Sequence, residues 1–379
     1  MSGTLSFWEN QSFFNYDVLV IGSGIVGLNA AINLKEKEPG LSIAILERGF
    51  LPSGASTKNA GFACFGSISE LIEQEKVCGT EGLQCLVEKR WKGLLKLRNL
   101  LGDDCIDYKN YGGYELFQKE EKELADECVS KIEYFNQLLM PVIGRKVIYQ
   151  SVPEKVNIFG FKNVETLIES RYEAQIDTGK MMKALWQKAL SMGIFTFNQC
   201  PVEQIDPDLN GVHLTTAHGN FFCKKLLLAT NAFSRHFLPD ADVLPGRGQV
   251  LVTRPVSGLK VKGTFHYEKG FYYFRNIGNR VMLGGGRNMD ITSEQTLEFG
   301  LTAAVQHKLE KLLKEVILPD IKFEIEQRWS GIMAFGRQLA PIIEEVKPNV
   351  FCAIRGSGMG IAIGSQTGAD AADLMLKNS

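Results

Sequence analysis

Tyr16-Asp17-Val18-Leu19-Val20-Ile21 runs without a break into Gly22-Ser23-Gly24-Ile25-Val26-Gly27, and an amphipathic helix ending in Lys35-Glu36-Lys37 follows. Apolar strand, glycine turn and helix in that order make a dinucleotide-binding fingerprint. Gly22 permits the tight turn out of the strand, and Gly27 lets the helix pack on it. Gly24 lets the backbone amides of the turn, which spans Ser23, Ile25 and Val26, approach a pyrophosphate at the positive end of the helix. Twenty residues beyond Gly27, the apolar strand Ser42-Ile43-Ala44-Ile45-Leu46 ends in Glu47. A carboxylate there can hold a ribose 2′-hydroxyl, which predicts FAD or NAD rather than NADP.

Two further stretches carry the same kind of chemistry. After Glu47, the loop from Arg48 to Gly61 is dense in small residues, with Ala55, Ser56, Thr57, Asn59, Ala60 and Gly61 among them. Such backbone can lie flat against a planar ligand, as a cofactor extended through the protein would require. Near the other end, the strand Val350-Phe351-Cys352-Ala353-Ile354 leads into Gly356-Ser357-Gly358-Met359-Gly360 and a helix from Ile361 to Leu376. A second helix N-terminus can thus face the same ligand as the first. His213, His218, His236, His266 and His307 fit no triad or metal spacing; His266, in Thr264-Phe265-His266-Tyr267, is kept as a candidate at the substrate. The eight cysteines are scattered without a C-x-x-C pair, which predicts reduced, mostly buried thiols and neither a metal site nor a redox disulfide.

The elements that must position these residues follow from composition and periodicity. With 379 residues, 45% of them apolar and 22% charged, the chain can build two domains around a large core. Lys plus Arg number 42 against 43 for Asp plus Glu, with no block of one sign, so nothing points to nucleic acid or an anionic membrane. Residues 1–15 lack a basic segment followed by an apolar one, and no uncharged apolar run reaches membrane-spanning length, so a cytoplasmic location is expected. Leucine and isoleucine spacing predicts two helices over 68–101 broken near Gly79, another over 120–139, and β-like structure over 142–152. A helix over 178–192 follows Asp177, then strands near 194–197, 202, 211–215 and 225–230. Antiparallel strands are expected at 248–253, 270–275 and 280–283, with a Gly278-Asn279 hairpin turn, before a long helix over 293–316.

Taken in order, these pieces resemble the FAD-dependent D-amino acid oxidase superfamily over nearly the whole chain, within it the branch of glycine oxidase, sarcosine oxidase and γ-glutamylputrescine oxidase. The resemblance rests on the first fingerprint with Glu47, the loop Gly54-Ala55-Ser56 to Asn59-Ala60-Gly61, and Val202. It extends through Ala229-Thr230-Asn231-Ala232, Arg247-Gly248-Gln249, Trp329-Ser330-Gly331-Ile332 and the terminal Gly356 to Ile361 turn. It implies an α/β fold of two domains, a Rossmann-like FAD-binding domain (1–90, 145–240 and 325–379) and an antiparallel-sheet substrate domain with helices (91–144 and 241–324). It also implies FAD pyrophosphate at Gly22, Gly24 and Gly27, ribose at Glu47, with Arg48 also at the cofactor, and isoalloxazine along the Gly54 to Gly61 loop. Adenine would meet the Val202 backbone, with Thr230, Asn231 and Gly331 also at the cofactor, and Gly358, Met359, Gly360 and Ile361 would close over the pyrimidine edge. The implied reaction passes hydride from a C–H beside an amine nitrogen to flavin N5 and gives an imine that water hydrolyses, with no obligatory catalytic acid or base.

Departures from the pattern shape the expectation. Covalent-flavin members carry Cys where Gly331 stands or His where Asn59 stands, so noncovalent FAD is implied. Glycine oxidase holds the substrate carboxylate with an Arg where this chain has Met333, and a thioether cannot pair with a carboxylate. Met333 with Tyr272 and Tyr273 therefore looks more like the γ-glutamylputrescine oxidase branch, with a small amine as substrate. An amino-acid substrate held by another Arg, among Arg337, Arg275, Arg287 and Arg355, stays open, as does a non-catalytic flavin-binding subunit. The acceptor of the electrons, whether oxygen, a quinone or another protein, is not readable from the sequence.

Overall fold

The computed structural model describes residues 5–377; residues 1–4 and 378–379, counted above with the nucleotide-binding segments, lie outside the described residues. Two large sheets organise the chain. The first runs in the order Ile342–Lys347, Val350–Ile354, Gly219–Leu228, Asn15–Ile21, Ile43–Leu46, Phe195–Phe197. From Val350–Ile354 to Phe195–Phe197 its neighbours are all parallel, while Ile342–Lys347 joins antiparallel at the edge. Parallel strands covered on both faces read as continuous apolar runs, which is why Val18, Leu19, Val20, Leu226, Leu227 and Leu228 are all buried. Ile21 stands opposite both Leu46 and Leu228, so these three strands end level with one another. The glycine turn, Glu47 and Ala229-Thr230 emerge together from that end, where ligands of such sheets bind.

One face of this sheet is covered by the helices Ile25–Lys37, Ile68–Leu101, Thr178–Ser191 and Gly360–Lys377, which share a core of Leu28, Ile32, Leu94, Leu97, Met181, Leu185, Ala362 and Ala372. Gly79 carries φ +71 and breaks Ile68–Leu101 where the sequence predicted. Asp177 caps Thr178–Ser191, its side chain accepting from Lys180 N.

The second sheet has the order Ile325–Phe335, Leu244–Thr253, Arg280–Gly285, Tyr272–Ile277, Thr264–Tyr267, Gly113–Gln118, Val164–Ser170, Tyr149–Ser151. It is antiparallel apart from the pair Thr264–Tyr267 and Gly113–Gln118. Its outer face buries Phe265, Phe274, Leu283 and Tyr272 beneath the helix Ala303–Leu312. Ile277 faces Arg280, so Gly278 and Asn279 form the expected two-residue hairpin. Tyr149–Ser151, Val164–Ser170 and Ile325–Phe335 hydrogen-bond into this second sheet, although the sequence grouped them with the nucleotide-binding segments.

Local expectations fail where a backbone break is invisible to periodicity. The helix expected over 293–316 is a short turn Ile291–Glu294, an extended stretch, then Ala303–Leu312 closing in a π-turn over Leu313–Ile317. The stretch is held open by tertiary bonds, Gly300 N to Ser330 Oγ at 3.0 Å and Thr302 N to Gln249 Oε1 at 3.0 Å. The helix expected over 120–139 divides at Lys131 into Lys122–Ser130 and Ile132–Ile143. The second half runs on to a left-handed Gly144, which leaves only Tyr149–Ser151 as strand in the 142–152 segment.

Candidate active site

A cavity of about 1000 Å³ begins at the ends of the parallel strands and is walled on its far side by the second sheet. That is the upper end of the size range for small-molecule and cofactor sites, about 300–1,000 Å³. At its near end the chain bends at Gly22, φ +103, where a Cβ would stand 2.8 Å from the Ala229 carbonyl oxygen. A Cβ on Gly27 would run into the Gly22 carbonyl, so the close helix packing also demands glycine. The amide of Ile25, at the open N-terminus of its helix, donates to Ser56 Oγ at 3.0 Å, so a hydroxyl occupies the place where an anion is most favoured. Glu47 is buried and oriented from several sides: Oε2 accepts from Ser23 N at 3.1 Å and Ser23 Oγ at 2.8 Å, and Oε1 from Gly49 N at 2.9 Å. The fourth lone-pair site of the carboxylate is taken by Ser53 Oγ at 3.3 Å, the longest of the four bonds and the one a ligand hydroxyl could most easily replace.

The small-residue loop is tied down by its own side chains. Asn59 Nδ2 donates to Ser56 O at 2.8 Å while its Oδ1 accepts from Gly61 N and from Thr178 Oγ1. Trp329 Nε1 donates to Lys58 O at 2.9 Å, fixing the loop to the second sheet. Asn231, at φ +47, accepts the amides of Arg355 and Gly356 on Oδ1 and so sets the terminal glycine turn. Arg48 stacks its guanidinium 3.6 Å over the Phe233 ring.

Of the sequence candidates for the cofactor, Gly22, Gly24, Ile25, Val26, Glu47, Arg48, Ala55, Ser56, Asn59, Ala60, Gly61, Val202, Thr230, Asn231, Gly331, Gly358, Met359, Gly360 and Ile361 all line this one cavity. Ser23, Gly27 and Thr57 do not; Ser23 serves Glu47, and Thr57 Oγ1 donates to Pro52 O at 2.7 Å. Among the substrate candidates, Tyr273, Met333 and His266 line the cavity. Tyr272 does not: strand alternation turns it into the outer core, where it is 1% exposed. Arg337 does not either, its side chain being 89% exposed and held to Asp242. Arg275 is buried and donates to Ile176 O, and Arg355 pairs with Asp242 at 2.7 Å. Arg287 is the arginine of the four on the cavity wall, half-buried, its guanidinium 4.0 Å from the Phe335 ring centroid. Among the described residues, no carboxylate pairs with it.

Electrostatics at the far end are set by burial. It pushes the Tyr273 phenol up to about 12 and draws the Arg287 guanidinium down from its ordinary value. At His266, burial opposes the charged ring, but the Cys64 thiol and the Glu173 and Glu70 carboxylates around it prevail and hold the imidazole well above the ordinary histidine range. Sequence reasoning did not single out Phe62, Cys64, Glu70, Lys269 or Phe335, all of which line the cavity. Cys64 lies only three residues beyond the Gly61 loop, which was the available signal.

A parallel sheet whose C-terminal edge opens into a cavity closed by a separate antiparallel sheet is the architecture of the two-sheet flavin-dependent oxidoreductases. The model of the FAD dependent oxidoreductase (DAO) family matches residues 17–374, and the chain belongs to that family. Over 378 residues it is 25% identical to the glycine oxidase of Geobacillus kaustophilus, covering 95% of this chain and 93% of that protein. It is 23% identical to the sarcosine oxidase subunit beta of Rhizobium meliloti, covering 87% of this chain and 77% of that one. The crystal structure of the Geobacillus kaustophilus glycine oxidase superposes with a TM-score of 0.77 at 22% identity, covering 96% and 95% of the two chains. The protein is thus an FAD-dependent oxidoreductase. Among the described residues, no helix is long and apolar enough to cross a membrane.

Proposed function

We propose that this enzyme oxidises the C–N bond of a small amino acid, with Arg287 taking the substrate carboxylate. The observation that carries this reading is the unpaired Arg287 guanidinium on the wall of the same cavity that Tyr273, Met333 and Phe271 line. An arginine fork that pairs with no carboxylate among the described residues is suited to a bidentate carboxylate brought by a ligand. Met333 supports the assignment by elimination, since a thioether at that wall offers the carboxylate nothing. The family relatives named as glycine and sarcosine oxidases act on small amino acids, and the reading extends that class to this chain.

Bound FAD would supply the hydride acceptor. The cavity fits it: the Ile25 amide, Glu47 and the flat Asn59-anchored loop offer a pyrophosphate site, a ribose acceptor and a planar wall in that order. We assign the pyrophosphate to the Gly22 to Val26 turn, the ribose to Glu47 and the ring to the 54–61 loop, bound without a covalent link. The chain's own contribution is to place the substrate. Arg287 fixes the carboxylate, Phe62, Phe271 and Met333 exclude water from the reacting C–H, and Tyr273, protonated at neutral pH, offers a hydroxyl hydrogen bond.

Anaerobic bleaching of the flavin absorbance tests this directly, with glycine, N-methyl amino acids, D-amino acids, polyamines and γ-glutamyl amines as reductants. Rapid bleaching by an amino-acid class is expected. Bleaching by amines alone would replace this reading with the amine one that Met333 first suggested, and bleaching by none would reject both.

A further inference from the structure

We propose that Cys64, His266 and Glu173 form a mononuclear metal site in the wall of the substrate cavity, with zinc(II) as the ion the donor set fits best. Their ligand atoms, a sulfur, an imidazole nitrogen and a carboxylate oxygen, all lie within 4.8 Å of one another, and all three residues are buried. His266 is 4% exposed and Glu173 0%. His266 Nε2 and Glu173 Oε2 stand 3.6 Å apart, and both are buried atoms with no hydrogen-bond partner. A direct bond between them would need a shorter approach. Two ligands about 2.1 Å from one tetrahedral ion, by contrast, are separated by about 3.4 Å. The gap that orphans both atoms is therefore of the size an ion would fill.

The surroundings hold these atoms in place. Glu173 keeps Oε2 free because Oε1 accepts the amides of Phe65 at 2.9 Å and Gly66 at 3.0 Å. Gly113 supplies the room, since a Cβ there would collide with the Glu173 carboxylate. Behind the imidazole, Glu70 Oε2 lies 3.5 Å from His266 Nδ1, and Glu70 is itself fixed by Ser67 N at 3.1 Å and Ser67 Oγ at 3.0 Å. A carboxylate behind a histidine is the arrangement that orients a metal-bound ring and raises its basicity. Thiolate, imidazole and carboxylate together favour zinc over magnesium or calcium, and one thiolate with one carboxylate balances the 2+ charge. Cys64 and His266 lie on the cavity wall, which gives the ion an entry path and leaves its fourth position for water or a substrate heteroatom. Cysteine spacing could not reveal the site, because its ligands come from residues 64, 173 and 266, on three separate segments.

Metal analysis of the yellow holoprotein, purified without chelator and incubated with zinc(II) alone, tests the proposal. About one zinc per chain is expected, with one sulfur at about 2.3 Å by X-ray absorption. Cys64→Ser and His266→Gln should each weaken retention at least about tenfold while FAD content stays unchanged. Wild-type protein holding less than about a tenth of an equivalent would overturn the site, and that result needs no variant to fold. Zinc content unchanged in both variants would overturn it equally. Iron or manganese found on the same sulfur, nitrogen and oxygen ligands would keep the site and reject zinc.

Discussion

Replacing Arg287 by methionine isolates its charge. The arginine stem is half-buried, and the guanidinium stacks on Phe335 and lies 5.2 Å from the Phe271 ring centroid. Methionine keeps an unbranched stem of similar reach and an apolar contact with both rings, so the packing loss is small. What disappears is a charge-assisted hydrogen bond to the incoming carboxylate. Such bonds contribute about 1.5–3 kcal/mol, and the half-buried setting keeps the figure in that range rather than above it. The corresponding fall in kcat/KM for an amino-acid substrate is about 10- to 150-fold. The fall should be confined to substrates with a carboxylate, and flavin content should not change. Stopped-flow reduction of Arg287→Met and wild type by matched amino-acid and amine pairs measures it. A change below about threefold, or equal losses for both members of a pair, would show that Arg287 does not hold the carboxylate.

Three other perturbations probe the cofactor cradle and its supports. At Gly24 a Cβ would stand 2.9 Å from Ser56 Oγ, so Gly24→Val should disrupt the turn at a cost of about 1–3 kcal/mol and give largely colourless protein; a fully loaded yellow variant would contradict the pyrophosphate assignment. Acid precipitation should leave all the flavin in the supernatant, and absorbance that stays with the pellet would disprove noncovalent binding. The Asp242 carboxyl is held below its usual range by the Arg337 amide, with the Gln338 amide and Arg355 beside it. A depressed carboxylate stabilises the fold above its unfolded pKa of about 3.9, and that stability is lost as pH falls through the lower folded value. Asp242→Asn should therefore cost about 1–2 kcal/mol at pH 7, read by urea unfolding, with the gap from wild type closing below about pH 4; an equal gap at both pH values would refute the role.

The near half of the site was readable because its function depends on backbone. A turn that must be glycine, a helix that must start beside it and a carboxylate one strand over are local requirements, and each leaves its mark on residue types at fixed spacing. Gly22, Glu47 and the Asn59-anchored loop consequently fall where the residues predict. Strand edges were legible for the same reason: Gly278-Asn279 encodes its own turn. Gly300 is different. The extended stretch before Ala303 depends on Gln249, 53 residues before the Thr302 it holds, and on Ser330, 30 residues after the Gly300 it holds. No local window contains those partners.

The far half is assembled by tertiary contact, and single residue types are poor guides there. Tyr272 and Tyr273 are adjacent and chemically identical, yet the pleat sends one into the core and the other to the cavity. Four arginines were candidates in sequence; Arg275 already donates to Ile176 O and Arg337 and Arg355 pair with Asp242, so of the four only Arg287 has no such partner among the described residues. Selection among like residues is thus made by what each already bonds. The same logic applies to His266 Nε2 and Glu173 Oε2, whose importance lies in the hydrogen bonds they lack: buried polar atoms without such partners cost about 1–3 kcal/mol each. A chain that satisfies Glu47, Asn59 and Asn231 so completely, and leaves His266 Nε2 and Glu173 Oε2 facing one another at 3.6 Å without a hydrogen bond, places an energetic demand at that point of the wall which an ion in the gap would meet.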